Sequence, residues 1–138
     1  PYRRQRQMCI RDSLEYLYRG GRVSRAGLVI ARALNIWPIL NLNDKGELKV
    51  IEKCRGRKKT YERIIEIIRE DVVDPASQTL YISHADVLEE ATRFAEQIKA
   101  AVGFKDIFYS TIGATIGAHT GPGLVSAFYF GHPRKPSK

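Results

Sequence analysis

The apolar positions of this chain fall into short blocks whose period switches between that of a helix and that of a strand. Leu14, Leu17 and Tyr18 sit at helical spacing. Gly20 and Gly21 end that run, since glycine tolerates the left-handed conformation of a helix C-cap. Ser24 is placed to cap a helix over 25–34. Pro38 prevents its continuation and biases Trp37 toward extended geometry. Residues 39–42 read as a strand. Asp44, Lys45 and Gly46 form a turn, and the alternation over 47–53 returns as a second strand, completing a β-hairpin. Tyr61, Ile64, Ile65 and Ile68 recur at i, i+3, i+4 and i+7, which predicts an amphipathic helix over 57–70.

After the breaker Asp74-Pro75, residues 79–83 read as a strand. Asp86 followed by Glu89 predicts a capping box. The helix it opens carries Val87, Ala91, Phe94, Ala95 and Ile98 on one face and ends at Gly103. Residues 106–112 form a strand. Residues 113–123 hold four glycines and a proline and read as a glycine-rich turn. Residues 124–130 make a final strand, and 133–138 a disordered basic tail. No internal repeat or heptad array is present. The order predicts an α/β (α+β) fold, a mixed sheet covered by helices.

Residues 1–13, PYRRQRQMCIRDS, follow neither period. They resemble the translation of a sequencing-library adapter. They are therefore expected to be a non-native or disordered extension, with the globular lobe over 14–132.

The 138 residues suit one domain, and 28% charged with 43% hydrophobic residues is ordinary for a globular chain. No apolar run is long enough to span a bilayer. Cys9 and Cys54 give no disulfide framework, which predicts a reduced, cytoplasmic protein. The net charge of +8 invites an anionic partner, but four arginines against Asp12 put +3 of it in residues 1–13.

The glycine-rich segment is the richest in candidate chemistry. Glycines let a backbone approach a ligand closely. His119 and Thr120 add an imidazole and a hydroxyl beside Gly121, a combination able to hold a carboxylate or phosphate. The same residues also suit a purely structural turn. No dinucleotide or P-loop fingerprint is present. His84 and His119 lack carboxylates at metal-ligand spacing, so no metal site is expected. No serine or cysteine sits in a nucleophile elbow. Lys53, Arg55, Arg57, Lys58 and Lys59 form a basic cluster, and Arg19, Arg22 and Arg25 a second. Each is either a solvated surface or a docking patch for an anion or partner. Nucleic-acid binding would want aromatics interleaved with the basic residues, and only Tyr61 is near.

Read in order, five segments resemble the C-terminal half of the DegV family. Residues 14–25, LEYLYRGGRVSR, are similar to the family's LEYLxRGGRIS. Residues 34–40, LNIWPIL, are similar to LNIKPIL, and 53–59, KCRGRKK, to KxRGRKKA. His84-Ala-Asp86 stands where the family has HAD or HGN. Residues 113–123 are similar to GPVIGTHTGPG, with Ala114 for Pro and Ala118 for Thr. Trp37 stands where the family has Lys.

The resemblance implies a two-lobed fold holding a long-chain fatty acid in a tunnel between lobes. It implies that the fatty acid is presented to a partner kinase subunit, with no cofactor and no catalytic residue in the binding protein. His119, Thr120 and Gly121 are then expected beside the fatty-acid carboxylate. Leu28, Ile30, Ile36, Trp37, Ile39 and Phe128 are candidates for the tunnel wall. Arg22, Arg25, Arg55, Arg57 and Lys58 are candidates for docking the kinase or an anion. The N-terminal lobe is expected to be missing here. Two rival readings are a small enzyme using His119 as general base and a basic nucleic-acid-binding module.

Overall fold

In a computed structural model, the protein is a six-stranded mixed sheet with two fifteen-residue helices packed on one face. The structure describes residues 4–11, 18–19, 21, 24–43 and 45–133, and for 4–11, 28, 48 and 119 it describes the backbone. The elements are β1 (Arg4–Arg11), α1 (Arg25–Ala33), β2 (Ile36–Leu42), β3 (Leu48–Arg55) and α2 (Arg57–Asp71). A 3-10 turn (Pro75–Ser77), β4 (Thr79–His84), α3 (Leu88–Val102), β5 (Asp106–Thr111), α4 (Ala114–Thr120) and β6 (Leu124–Gly131) follow. The sheet order is β3-β2-β1-β6-β4-β5. Only β4 and β5 run parallel, joined by the α3 crossover. The mixed sheet with helical cover agrees with the fold class read from the periodicity.

Local signals account for most of these elements. Ser24 caps α1, its Oγ accepting a hydrogen bond from the Gly27 N–H at 3.1 Å. The hairpin turn is held by Asn43, whose Oδ1 accepts from the amides of Lys45 (3.0 Å) and Glu47 (2.8 Å). α2 starts abruptly after Gly56, whose φ of +83° an L side chain would adopt only with strain. α3 ends on Gly103 in the left-handed conformation, its N–H bonding to the Lys99 carbonyl at 2.8 Å.

The core lies between the sheet and the α2–α3 layer. Ile64 and Ile68 from α2 and Ala91, Phe94, Ala95 and Ile98 from α3 meet Trp37, Ile39, Leu80, Ile82, Val125, Ala127 and Tyr129 from the strands. Buried Gln78 ties the far end of the sheet. Its Oε1 accepts from the Phe130 N–H at 2.8 Å, and its Nε2 donates to the carbonyls of Phe130 and Val73. Buried backbone groups are thereby satisfied where the ladder ends.

Three expectations are corrected. Residues 86–89 form no capping box: Asp86 has φ +59°, the N-cap is Val87, and no side chain caps the helix. The buried His84 stands in weakly, its Nδ1 3.4 Å from the Val87 amide. The glycine-rich turn is instead the short helix α4. Its bonds run from the Gly117 N–H to the Gly113 carbonyl and from the Gly121 N–H to the Gly117 carbonyl. Two alanines against Gly117 and two threonines make a weak helix by propensity, so its tertiary surroundings override the local signal.

The third correction concerns residues 1–13, expected to be a non-native or disordered extension, and it bears on the disorder. Over Arg4–Arg11 the backbone is a strand in the middle of the sheet. It pairs antiparallel with β6 from Arg4↔Gly131 to Arg11↔Leu124, and with β2 from Met8↔Asn41 to Ile10↔Ile39. Backbone N–H and C=O groups pair whatever side chains they carry, and β2 and β6 would otherwise each present an open edge. The helix expected over 14–18 lies outside the described residues except at Tyr18, whose carbonyl accepts from the Gly21 N–H at 2.9 Å. The tail from residue 134 also lies outside them.

Deleting residues 1–11 should therefore disrupt the fold, because it severs β2 and β3 from β6. The expected result is loss of a cooperative thermal transition, or aggregation through the two exposed edges. An unchanged melting midpoint by circular dichroism, with a monomeric elution profile, would show that the segment is dispensable.

Candidate functional site

The sheet face opposite α2 and α3 carries the most unusual surface of the molecule. Along β6, Val125, Ala127 and Tyr129 belong to the helix-covered core, so Leu124, Ser126, Phe128 and Phe130 alternate onto the other face. The register then aligns three strands. Tyr81 stands opposite Phe128 on one side and Phe108 on the other, giving an aromatic row across β6, β4 and β5. The Tyr81 and Phe108 rings lie 5.6 Å apart at 53°. Tyr81 is 48% exposed, Phe108 55% and Phe130 44%.

One pleat further along the strands, Ser83 stands opposite Ser126 and Ser110. The Ser83 and Ser110 hydroxyls bond to each other at 2.7 Å. Beyond them Leu124 and Leu40 form a small second cluster, with Ala85 and Ile112 packed against it. α4 stands at this same end of the strands, following β5 and preceding β6. A shallow depression of about 390 Å³ there is lined by Ala85, Asp86, Gly117, Ala118, Gly121 and Pro122.

Of the residues expected at a carboxylate, Thr120 is the last of α4, and its Oγ1 donates to the Ile116 carbonyl at 2.8 Å. Gly121 is buried, with φ +71°. The His119 side chain lies outside the described residues.

The expected tunnel residues divide. Phe128 and Ile36 are half-buried, Phe128 in the aromatic row, and Ile30 on α1 is 56% exposed. The Leu28 side chain lies outside the described residues. Trp37 and Ile39 are corrected: both belong to the core under α2 and α3. Strand alternation puts them on the opposite sheet face from Ile36, and an aromatic ring there fills the core.

The expected docking residues are held in different ways. Arg57 donates from Nη1 to Glu90 Oε2 at 3.0 Å, and its guanidinium stacks 4.9 Å above the Trp37 ring. Tyr61 donates to the other Glu90 oxygen and stacks on Phe94 at 4.3 Å. Lys58 reaches Glu62 only at 3.9 Å. Arg57, Lys58 and Arg93 border a groove of about 550 Å³ between α2 and α3. Arg55 and Arg25 are exposed, and Arg22 lies outside the described residues. Among the described residues no cluster of three or more His, Cys, Asp or Glu could hold a metal ion.

A model of the family described as an uncharacterised protein of the DegV family matches residues 2–132. The chain belongs to the DegV family. The match takes in the segment that had been expected to be an extension. A DegV domain-containing protein of Clostridium perfringens is 40% identical over 125 residues, covering 91% of this chain and 43% of its own. The chain thus spans less than half the length of that relative.

Among solved structures, DegV from Bacillus subtilis, described as a fatty acid binding protein, is 33% identical with a TM-score of 0.68. It covers 91% of this chain, which spans 45% of it. A DegV family protein of Eubacterium eligens, loaded with heptadecanoic acid, is 27% identical with a TM-score of 0.76, at the same coverages. The Fatty Acid Kinase (Fak) B3 protein of Streptococcus pneumoniae, loaded with linoleic acid, is similar in fold (TM-score 0.74, 17% identity, 91% of this chain and 44% of its own).

The sequence reading of this DegV chain missed the aromatic row. Tyr81 and Phe108 each lie in a short apolar run, and neither run says which strand stands beside it. Only the register joins them to Phe128.

Electrostatics near the basic cluster yield a pH dependence. Arg63 grips Glu52 with both ends of its fork, Nη2 to Oε1 at 2.8 Å and Nε to Oε2 at 2.9 Å, and also reaches Glu66 at 3.0 Å. The Arg63 hydrogen bond holds the Glu52 carboxyl below its ordinary value of 4.5. A carboxyl with a depressed folded pKa contributes stability above its unfolded pKa, and that contribution fades as pH falls through the folded value. The melting temperature of Glu52→Gln should therefore lie below the parent's at neutral pH, and the gap should close from about pH 5 downward. A gap that is absent at neutral pH, or that widens in acid, would show that the pair does not contribute.

Proposed function

We propose that this chain is the C-terminal lobe of a two-lobed protein that binds a long-chain fatty acid and presents it to a partner kinase. The observation that carries the reading is the aromatic row Phe128–Tyr81–Phe108 on a sheet face that no described helix of the α2–α3 layer covers. A contiguous exposed apolar patch marks an interaction surface. The Bacillus subtilis relative, described as a fatty acid binding protein, supplies the ligand class. In this reading the chain is a binding lobe with no catalytic residue of its own, and the opposing lobe lies in the rest of the protein.

His119 on α4, with Thr120 and Gly121, takes the carboxylate end. Glycines around an imidazole leave room for a carboxylate to approach the side chain closely; the Gly117 and Gly121 N–H groups are already bonded within α4. Arg25, Arg55 and Lys58 face the partner, with Arg22 as a further candidate. A nucleic-acid-binding module draws no support from the basic residues around the α2–α3 groove. Arg57, Arg63 and Arg93 are each within 3.2 Å of a carboxylate, which breaks a continuous positive face.

Two experiments test the reading. The delipidated full-length protein should take up fatty acid, detected by native mass spectrometry. His119→Ala should weaken carboxylate-dependent binding about tenfold or more, as expected for one charge-assisted hydrogen bond, with the melting temperature little changed. Uptake of no fatty acid by the intact protein would sink the proposal. Separately, charge reversal at Arg55 and Lys58 should slow phosphorylation by the kinase while leaving fatty-acid affinity within about twofold, since rim charges act mainly on association. Equal loss of both would indicate damage to the fold.

A further inference from the structure

We infer that Trp37, Arg57 and Glu90 are positioning residues for the encounter with the kinase. Together they lock the β3–α2 turn, so that Arg55 and Lys58 meet an acidic surface of the partner already arranged. The inference rests on the kinase-presenting reading above and names what sets the geometry of its docking edge.

The first support is the way the turn is held. Gly56 takes φ +83° between the last residue of β3 and the first of α2. Its N–H donates to the Asn35 carbonyl at 2.9 Å, and its own carbonyl accepts from the buried Thr60 hydroxyl at 2.8 Å. Asn35 is itself left-handed at φ +52°, a conformation uncommon outside glycine. Its Oδ1 accepts from the Trp37 indole at 2.9 Å, so one asparagine joins the start of β2 to the turn. On the other side, the Arg57 guanidinium lies 4.9 Å above the Trp37 ring and donates to Glu90 at 3.0 Å. Glu90 is held in turn by the hydroxyl of Tyr61, whose ring stacks on Phe94.

The second support is energetic. Withdrawing an ion pair from water costs desolvation that the attraction does little more than return, and apolar residues of similar volume would stabilise as well. What a fully partnered polar network adds is a single geometry. That geometry displays the two cations it does not consume. Arg55 is exposed, and the Lys58 side chain is 92% exposed and reaches Glu62 only at 3.9 Å. A turn that is rigid before contact removes part of the ordering cost of docking.

The third support is placement. Arg55 pairs with Ile36, Ile39 with Ile10, and Ile10 with Val125, so the turn shares the end of the sheet at which α4 stands. The basic residues thus divide by role. Arg57 acts through the turn, and Arg55 and Lys58 act on the partner.

The test uses the full-length protein loaded with octadecanoic acid, the kinase subunit and ATP. The initial rate of phosphorylation is followed against the concentration of loaded protein. Glu90→Gln should raise KM for the loaded protein about fivefold, with kcat and fatty-acid affinity within about twofold, because the change falls on association. The same substitution in a background carrying Arg55→Ala and Lys58→Ala should raise KM no further, because residues that act through one another are not additive. Replacing Trp37 by mono-, di- and trifluorinated tryptophan should raise KM stepwise, since each fluorine weakens the ring's attraction for the guanidinium and leaves its packing nearly unchanged. A ring that only fills the core would give a flat series, and melting curves check the fold of every variant. Should Glu90→Gln fail to fold, the fluorinated series decides alone. An unchanged KM for folded Glu90→Gln, a flat series, or an additive loss in the double-alanine background would overturn the inference. The additive loss would place Arg57 and Glu90 in contact with the partner. Parent protein whose bound acid is not phosphorylated would instead overturn the kinase reading itself.

Discussion

Two helices of fifteen residues each, α2 and α3, cover one face of a sheet six strands wide. At 1.5 Å per residue each helix is about 22 Å long, enough to cross the strands it covers but not to reach around to the other face. The main interior therefore forms on that side, where Phe94, Ile64, Ile68 and Ile98 meet the inward residues of β2, β4 and β6. Strand alternation then sends every second residue of those strands to the face opposite α2 and α3. What those residues are is thus a statement about the site, not about the core. On β4 to β6 they are aromatic or hydroxylated, apart from Leu124 at the start of β6 and the charged Asp106 at the start of β5.

The helices were legible from sequence because their signals are local. Ser24, the Tyr61-to-Ile68 spacing and Gly103 each act within a few residues, and each appears in the structure where the spacing puts it. The strands were legible as runs but not as partners. β2 begins at Ile36, before Pro38, because pairing with Arg55 and Cys54 extends the ladder past the last alternating residue. Asp86 failed as a cap because its backbone is left-handed, which moves the N-cap to Val87. β1 was illegible for a different reason. A central strand is ordinarily recognised by its apolar residues, and 4–11 is mostly arginine and glutamine; only the two open neighbouring edges require a strand there.

The site was legible in part. The glycine-rich segment is conspicuous in composition, but its glycines flank and punctuate a helix instead of forming an extended loop. Trp37 and Ile39 were grouped with Ile36 by hydrophobicity alone, and the pleat separates them. Trp37 has a defined duty on the covered side. Its indole Nε1 donates to Asn35 Oδ1 at 2.9 Å, and its ring supports the Arg57 guanidinium that Glu90 holds from α3. The tryptophan thus ties the start of β2 to both helices, a role that hydrophobic character does not announce.

Register also fixes which features share an end of the sheet. Ile36 pairs with Arg55, Ile39 with Ile10, and Ile10 with Val125, so the start of β2, the end of β3 and the start of β6 lie together. His84 stands opposite Val125 and Thr111, which adds the ends of β4 and β5. The first turn of α2, with Arg57 and Lys58, and the helix α4 therefore emerge at one end, while Phe130 and Gln78 mark the other. On the proposed reading this arrangement orients the ligand. A carboxylate at α4 lies at the end where the basic residues Arg55 and Lys58 are exposed, and the hydrocarbon points away across the aromatic row. A kinase drawn to the basic end would meet the head group and not the tail. The polarity of the site is in that sense a consequence of strand order: β1 between β2 and β6 sets the direction of both, and with it the end at which charge and glycine-rich backbone come together.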